Sequence, residues 1–284
     1  MPGDSGYIGA HDLGEAERLG AQAAGGLDEL RAALASHPVL PGARVLELGC
    51  GAGTFTRALL AALPDATIVA TDVNDALLAQ ARADLTAEVR AGRVAFARAD
   101  AANLLFPARS FDFVACRCLL MHQADPLLAV SEMFRVVDLG GGALAIEPDW
   151  GARALYPDAD ALDELLDLAR RARPFGFPDL LLGRKLFALF RAAGFVQVRI
   201  GVSAFSETAD DSDTALPGGD GALMGPARLI QQGRALLRQA GVEDARLDAL
   251  IQRLHSIPRH PEYFSAGLDF SAIAIRPAPS LSLP

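Results

Sequence analysis

Short apolar runs alternate with amphipathic stretches across residues 40–150 of this chain. The runs fall at 44–48, 67–71, 94–98, 111–116 and 142–147, and they are rich in Val, Ile, Leu, Ala and Phe. Between them, 53–63, 74–91 and 125–137 space their apolar residues three and four apart, as one face of a helix requires. A strand, a glycine or turn, and a helix repeated in this order predict a parallel sheet with crossover helices. Strands of that kind are covered on both faces, so their sequences run apolar without alternating.

The flanks read differently. Residues 12–36 carry helical periodicity that breaks at Gly25-Gly26 and closes at His37-Pro38. Beyond Trp150, 158–173 predicts a helix and Pro174 to Pro178 a rigid connector. The helix predicted over 183–193 stops at Gly194, where a glycine can close a helix in the left-handed conformation. A strand follows at 195–205. Residues 206–221 predict a mobile loop, acidic and rich in glycine. Helices at about 225–240 and 243–256 and a strand at 268–275 complete the pattern, ahead of a Pro/Ser tail. No internal repeat is visible.

Composition narrows the function classes. Of 284 residues, 51% are hydrophobic and 21% charged, the profile of a globular chain. The net charge of −9 repels a phosphate backbone and argues against nucleic acid as a partner. Cys50, Cys116 and Cys118 lack zinc-site spacing and are expected to be buried thiols, so no metal is predicted. No signal peptide and no membrane-length apolar run are evident, which predicts a cytoplasmic protein. A homodimer is compatible with the sequence.

The chemistry concentrates at VLELGCGAGTFT, residues 45–56. A strand runs into Gly49, Gly51 and Gly53, and a helix starts at once. Glycines there let the backbone turn and approach a ligand, and the helix start offers free N–H groups. The spacing is G-x-G-x-G, with Thr54 where the dinucleotide fingerprint wants its last glycine; no P-loop pattern exists. Asp72 ends the second run, where a carboxylate can accept from vicinal ribose hydroxyls. Asp100 ends the third, where one can meet an adenine amino group. For either Asp alone, a helix N-cap is the competing reading.

In combination these segments resemble the class I, seven-stranded S-adenosylmethionine-dependent methyltransferases. Glu47-Leu-Gly49-Cys-Gly51-Ala-Gly53, Ala70-Thr-Asp72-Val73-Asn74 and Arg98-Ala-Asp100-Ala101 are similar to the family's first three motifs. The stretch 111–122, with Arg117 and His122, resembles the fourth strand and its loop, and 139–148 the fifth strand. The resemblance implies a Rossmann-like, mostly parallel α/β sheet of order 3-2-1-4-5-7-6, with the last strand antiparallel and helices on both faces. It also implies S-adenosylmethionine as cofactor, with Glu47, Gly49, Gly51, Gly53, Asp72, Val73, Asp100, Ala101 and Arg117 around it. Residues 7–22 resemble the leading helix of some small-molecule members, which would bring Tyr7 and Gln22 to the cofactor. On that basis residues 1–37 are expected to form a helical lid. Residues 38–284 would form the methyltransferase domain, with a substrate-covering insertion at about 206–260.

Methyl transfer needs alignment and, for a hydroxyl or ammonium acceptor, one base. His122 and Glu147 are the candidates; a loop-packing or helix-capping histidine and a strand-end hydrogen bond are the bland readings. Glu147-Pro148-Asp149-Trp150 does not fit the amino-methyltransferase signature. The expectation is therefore a small, hydrophobic metabolite, methylated on oxygen or nitrogen, in a setting such as natural-product tailoring. The alternative is a cofactor-binding cyclase or pericyclase on the same fold.

Overall fold

The computed structural model describes residues 27, 30–35, 39–210 and 224–278. Within them the strands are β1 (Arg44–Leu48), β2 (Thr67–Asp72), β3 (Val94–Arg98), β4 (Phe111–Arg117), β5 (Val137–Tyr156), β6 (Val196–Thr208) and β7 (Phe264–Ile275). The helices are α1 (Thr54–Ala62), α2 (Asp75–Asp84), α3 (Thr86–Arg90), α4 (Pro126–Val136), α5 (Ala159–Ala172), α6 (Leu186–Ala193), α7 (Met224–Gln232), α8 (Arg234–Gln239) and α9 (Asp244–Ser256). The strands form one sheet in the order β3-β2-β1-β4-β5-β7-β6. β1 pairs in parallel with β2 and β4, β2 with β3, and β4 with β5. At the other side of β5, Gly140 N–H donates to Arg276 O and Arg276 N–H to Gly141 O, both at 2.9 Å. With Gly140 at φ +77, this two-against-one pattern is a glycine bulge between antiparallel strands.

Of the described residues, those up to Glu147, 183–201 and those from Phe270 onward form one compact unit. The described parts of 148–182 and 202–269 form a second. The first unit holds the parallel core. Val45, Leu46 and Leu48 of β1 are fully buried, and Leu30, Phe55, Leu59, Ile68, Leu78 and Phe113 belong to the buried apolar core. The caps are local and chemical: Asn74 Oδ1 accepts from the N–H of Ala76 and Leu77 at the start of α2. Asp125 accepts from Leu127 N–H ahead of Pro126, which needs no N–H partner at a first helical position. Gly194, at φ +102, ends α6, and Phe195 then packs edge-on against Phe134 of α4.

The second unit holds α5, α7, α8 and α9 with the later part of β5 and β6 and the earlier part of β7. Leu229, Ile230 and Leu237 are buried there, while Leu236 is half-buried. Arg253 of α9 grips Asp158 at 2.7 and 2.8 Å and Glu164 at 2.8 Å, joining α9 to α5.

Several element boundaries depart from expectation: the fifth strand starts at Val137 rather than 142, β6 runs to Thr208 into the stretch expected to be a loop, and β7 begins at Phe264 rather than 268. The fifth strand does not end at Glu147 but runs to Tyr156. The stretch 74–91 breaks at Leu85 into α2 and α3, and 225–240 breaks at Gly233 into α7 and α8. A carbon added at Gly233 would stand 2.4 Å from the Phe177 ring, so that glycine makes room for an aromatic side chain.

Candidate functional site

Strand register assembles the site. Leu48 lies beside Thr71 and Cys116, Asp72 beside Arg98, and Arg117 beside Ile146. The carboxyl ends of β1, β2, β3 and β4 therefore finish near one edge, level with Ile146 and Glu147 in the middle of β5. That edge is where ligands of open α/β sheets bind, at the point where the strand order reverses between β1 and β4.

The three glycines take different conformational roles. All have positive φ, +68 at Gly49, +53 at Gly51 and +87 at Gly53. A Cβ on Gly49 would come within 2.7 Å of Leu119 Cδ1, and one on Gly53 within 3.2 Å of Ala81 Cβ and 3.1 Å of Leu85 Cδ1. Those two glycines admit a neighbouring loop and helix α2. Beside Gly51 a Cβ would meet nothing within 4 Å, so this is the glycine with open space next to it.

Asp72 is buried and fully oriented. Its Oδ2 accepts from Gly51 N–H at 2.8 Å and its Oδ1 from Asn74 N–H at 2.9 Å. The cap of α2 is Asn74 rather than Asp72, so the N-cap reading does not account for this aspartate. Each carboxylate oxygen keeps a further lone pair. Asp100 is exposed, and its Oδ1 accepts from Ala102 N–H at 2.9 Å in a turn beside buried Ala101. Val73 is half-buried between Asp72 and Asn74.

Glu47 sits at 0% exposure in the middle of the sheet. Thr56 Oγ1 donates to its Oε2 at 2.7 Å, while Oε1 is buried without a partner. Burial pushes this carboxyl up to about 8, against the Thr56 hydrogen bond and with help from the Asp72 charge. Cys50 and Cys116 are buried thiols pushed upward by the same desolvation, and Cys118 is half-buried. Among the described residues no His/Cys/Asp/Glu group is arranged to hold a metal.

His122 is half-buried in the short 3-10 turn Leu120–His122, with its backbone N–H on Leu119 O at 3.0 Å. The cap of the following helix is Asp125, which removes capping as a role for this histidine. Arg117 closes β4 five residues earlier. Glu147 is 0% exposed, and its carboxyl accepts from the N–H groups of Leu119 and Leu120 at 2.9 and 2.6 Å. Burial raises it to about 8 against these bonds and the Arg117 charge. Sequence reasoning placed Glu147 at a strand end but missed that its partners are amides of the loop carrying His122. Tyr7, Gln22, the Gly25-Gly26 break and most of 206–221 lie outside the described residues.

Residues 45–141 match the family model described as a methyltransferase domain. The ubiquinone/menaquinone biosynthesis C-methyltransferase UbiE of Ectopseudomonas mendocina is 36% identical over 126 residues, 43% of this chain and 49% of that protein. The demethylmenaquinone methyltransferase of Lactococcus lactis is 30% identical over 177 residues, 56% of this chain and 68% of that protein. The chain thus spans about half the length of the first of these relatives and two thirds of the second. Among solved structures, the YcgJ protein of Bacillus subtilis superposes with a TM-score of 0.56 at 19% identity, covering 89% of this chain and 98% of that one. A nucleotide-type edge on a 3-2-1-4-5-7-6 sheet defines the class I methyltransferase architecture. This chain belongs to the class I S-adenosylmethionine-dependent methyltransferase family.

The family's cofactor is S-adenosylmethionine, and the residues present fit it. Glu47 holds one buried oxygen without a partner, Gly51 borders open space, and Asp72 is oriented with accepting capacity to spare. Among the described residues no helix is long and apolar enough to cross a membrane.

Proposed function

We propose that the chain transfers a methyl group from S-adenosylmethionine to a small, mostly apolar metabolite. The observation that supports this best is the meeting of oriented Asp72, the glycine loop and the His122 turn at one sheet edge. The bound cofactor supplies an electrophilic methyl on a sulfonium, and displacement in line needs alignment above all. Asp72 accepts from the ribose hydroxyls, held for that task by the amides of Gly51 and Asn74. Val73, Asp100 and Ala101 take the adenine. Glu47, Gly49, Gly51, Gly53 and Arg117 complete the surroundings.

His122 receives the proton that the acceptor gives up, the role a histidine most often fills in general-base catalysis. The name of the UbiE relative, a C-methyltransferase, adds carbon to oxygen and nitrogen as the atom to be methylated. The test is incubation with S-adenosylmethionine and a panel of acceptors headed by a demethylmenaquinol analogue. S-adenosylhomocysteine and a product heavier by one methyl group are expected together. An acceptor rearranged without release of S-adenosylhomocysteine would instead mark a cyclase.

A further inference from the structure

The loop after β4 is built around one side chain from β5. Cys118 has φ +52, and Leu119 follows at φ −105 and ψ −49. A left-handed residue followed by a right-handed one turns successive N–H groups to one side, a concavity suited to an oxygen anion. In this chain the concavity is filled from within. Glu147 Oε1 accepts from Leu119 and Leu120, and Oε2 lies 3.4 Å from Met121 N–H. Cys118 N–H on Ile146 O, at 2.9 Å, fastens the start of the same turn to β5. On its other side the turn meets the glycine loop, because Leu119 occupies the space a Gly49 side chain would need.

We infer that Glu147 is a positioning residue, which holds the 118–122 turn so that Leu119 packs on Gly49 and His122 is presented at the sheet edge. Being fully buried with its acceptor sites on backbone amides, it is not placed to take a proton from a substrate. Its raised titration agrees: burial favours the neutral carboxyl, which can still accept from the turn's amides through Oε1. Glutamine keeps the shape and the accepting Oε1 and gives up only the 3.4 Å acceptor facing Met121 N–H, whereas alanine leaves buried amides without partners.

The kinetic arm of the test rests on the proposed methyl transfer; affinity for S-adenosylhomocysteine tests the inference without it. Glu147→Gln should keep that affinity and kcat within about threefold of wild type, with an unchanged pH profile. Glu147→Ala should weaken binding about tenfold or more, since an unpaired buried amide is costly. Glutamine and alanine variants equally inactive, with wild-type affinity in both, would make Glu147 a base and overturn the inference. So would an alanine variant that binds and turns over normally. Should alanine prevent folding, Leu119→Ala decides: removing the side chain that packs on Gly49 should weaken S-adenosylhomocysteine binding at least threefold. Unchanged affinity breaks the proposed link. A wild-type protein that binds the cofactor yet methylates nothing would sink the proposed reaction and leave the affinity arm to judge Glu147.

Discussion

At the scale of single residues, the informative feature is that backbone amides orient Asp72 and Glu147 before any ligand arrives. Asp72 spends one lone pair of each oxygen on a backbone amide and is oriented by both. Replacing it with alanine should remove charge-assisted hydrogen bonds to the ribose, a loss of about 1.5–3 kcal/mol, or roughly ten- to a hundredfold in affinity. Calorimetry with S-adenosylhomocysteine measures this, and unchanged affinity would refute the ribose assignment. His122 makes the opposite prediction. As a base it should lower kcat far more than cofactor affinity when changed to alanine, and wild-type turnover at saturating acceptor would reduce it to a packing residue. The positions of Asp72, at the end of β2, and of His122, in the turn beyond β4, were legible from motif spacing in the sequence. The partners of Glu147 were not, since the turn and the glutamate lie 27 residues apart and meet only through sheet register.

At the scale of elements, periodicity located every strand of the parallel core, and most errors were errors of length. Apolar continuity is set by burial on both faces, so it marks where a strand is covered and not where pairing stops. That is why β5 was read as ending at Glu147, although it continues through the mixed stretch DWGARALY to Tyr156. Caps were more precise signals, because they depend on one side chain and the next turn of backbone. Asn74→Ala should cost about 1 kcal/mol by freeing the first amides of α2. In a chain of this size the thermal midpoint should fall by about 2 °C. An unshifted midpoint in a calorimetric scan would show that α2 is held by packing alone.

At the scale of the whole molecule, two carboxyls buried in the first unit tie stability to pH. Glu47 and Glu147 are each raised from 4.5 to about 8, chiefly by desolvation. The neighbouring Asp72 charge adds to the rise at Glu47, and Arg117 opposes it at Glu147. Raised carboxyls favour the protonated form in the folded state. Their stabilising contribution is therefore complete below about 4.5 and is lost as pH climbs through about 8. The melting temperature should drop between pH 6 and pH 9, and Glu47→Gln with Glu147→Gln should flatten that decline. Circular dichroism melts that stay level or rise over this range in the parent protein would contradict it.

By itself the sequence determined the order of elements, the parallel core, and the glycine loop with Asp72 and Asp100 behind it. Each of those rests on spacing along a few neighbouring residues, or on the burial that a repeated strand–helix unit demands. Tertiary structure alone decided what the acidic side chains do. Gly49 and Gly53 combine positive φ with Leu119, Ala81 and Leu85 pressing against them. Glu147 serves the turn that carries His122, because parallel pairing of β4 with β5 sets Arg117 beside Ile146 and so brings Glu147 level with the end of β4. Contacts of that kind depend on three-dimensional register, which no local pattern of residues encodes.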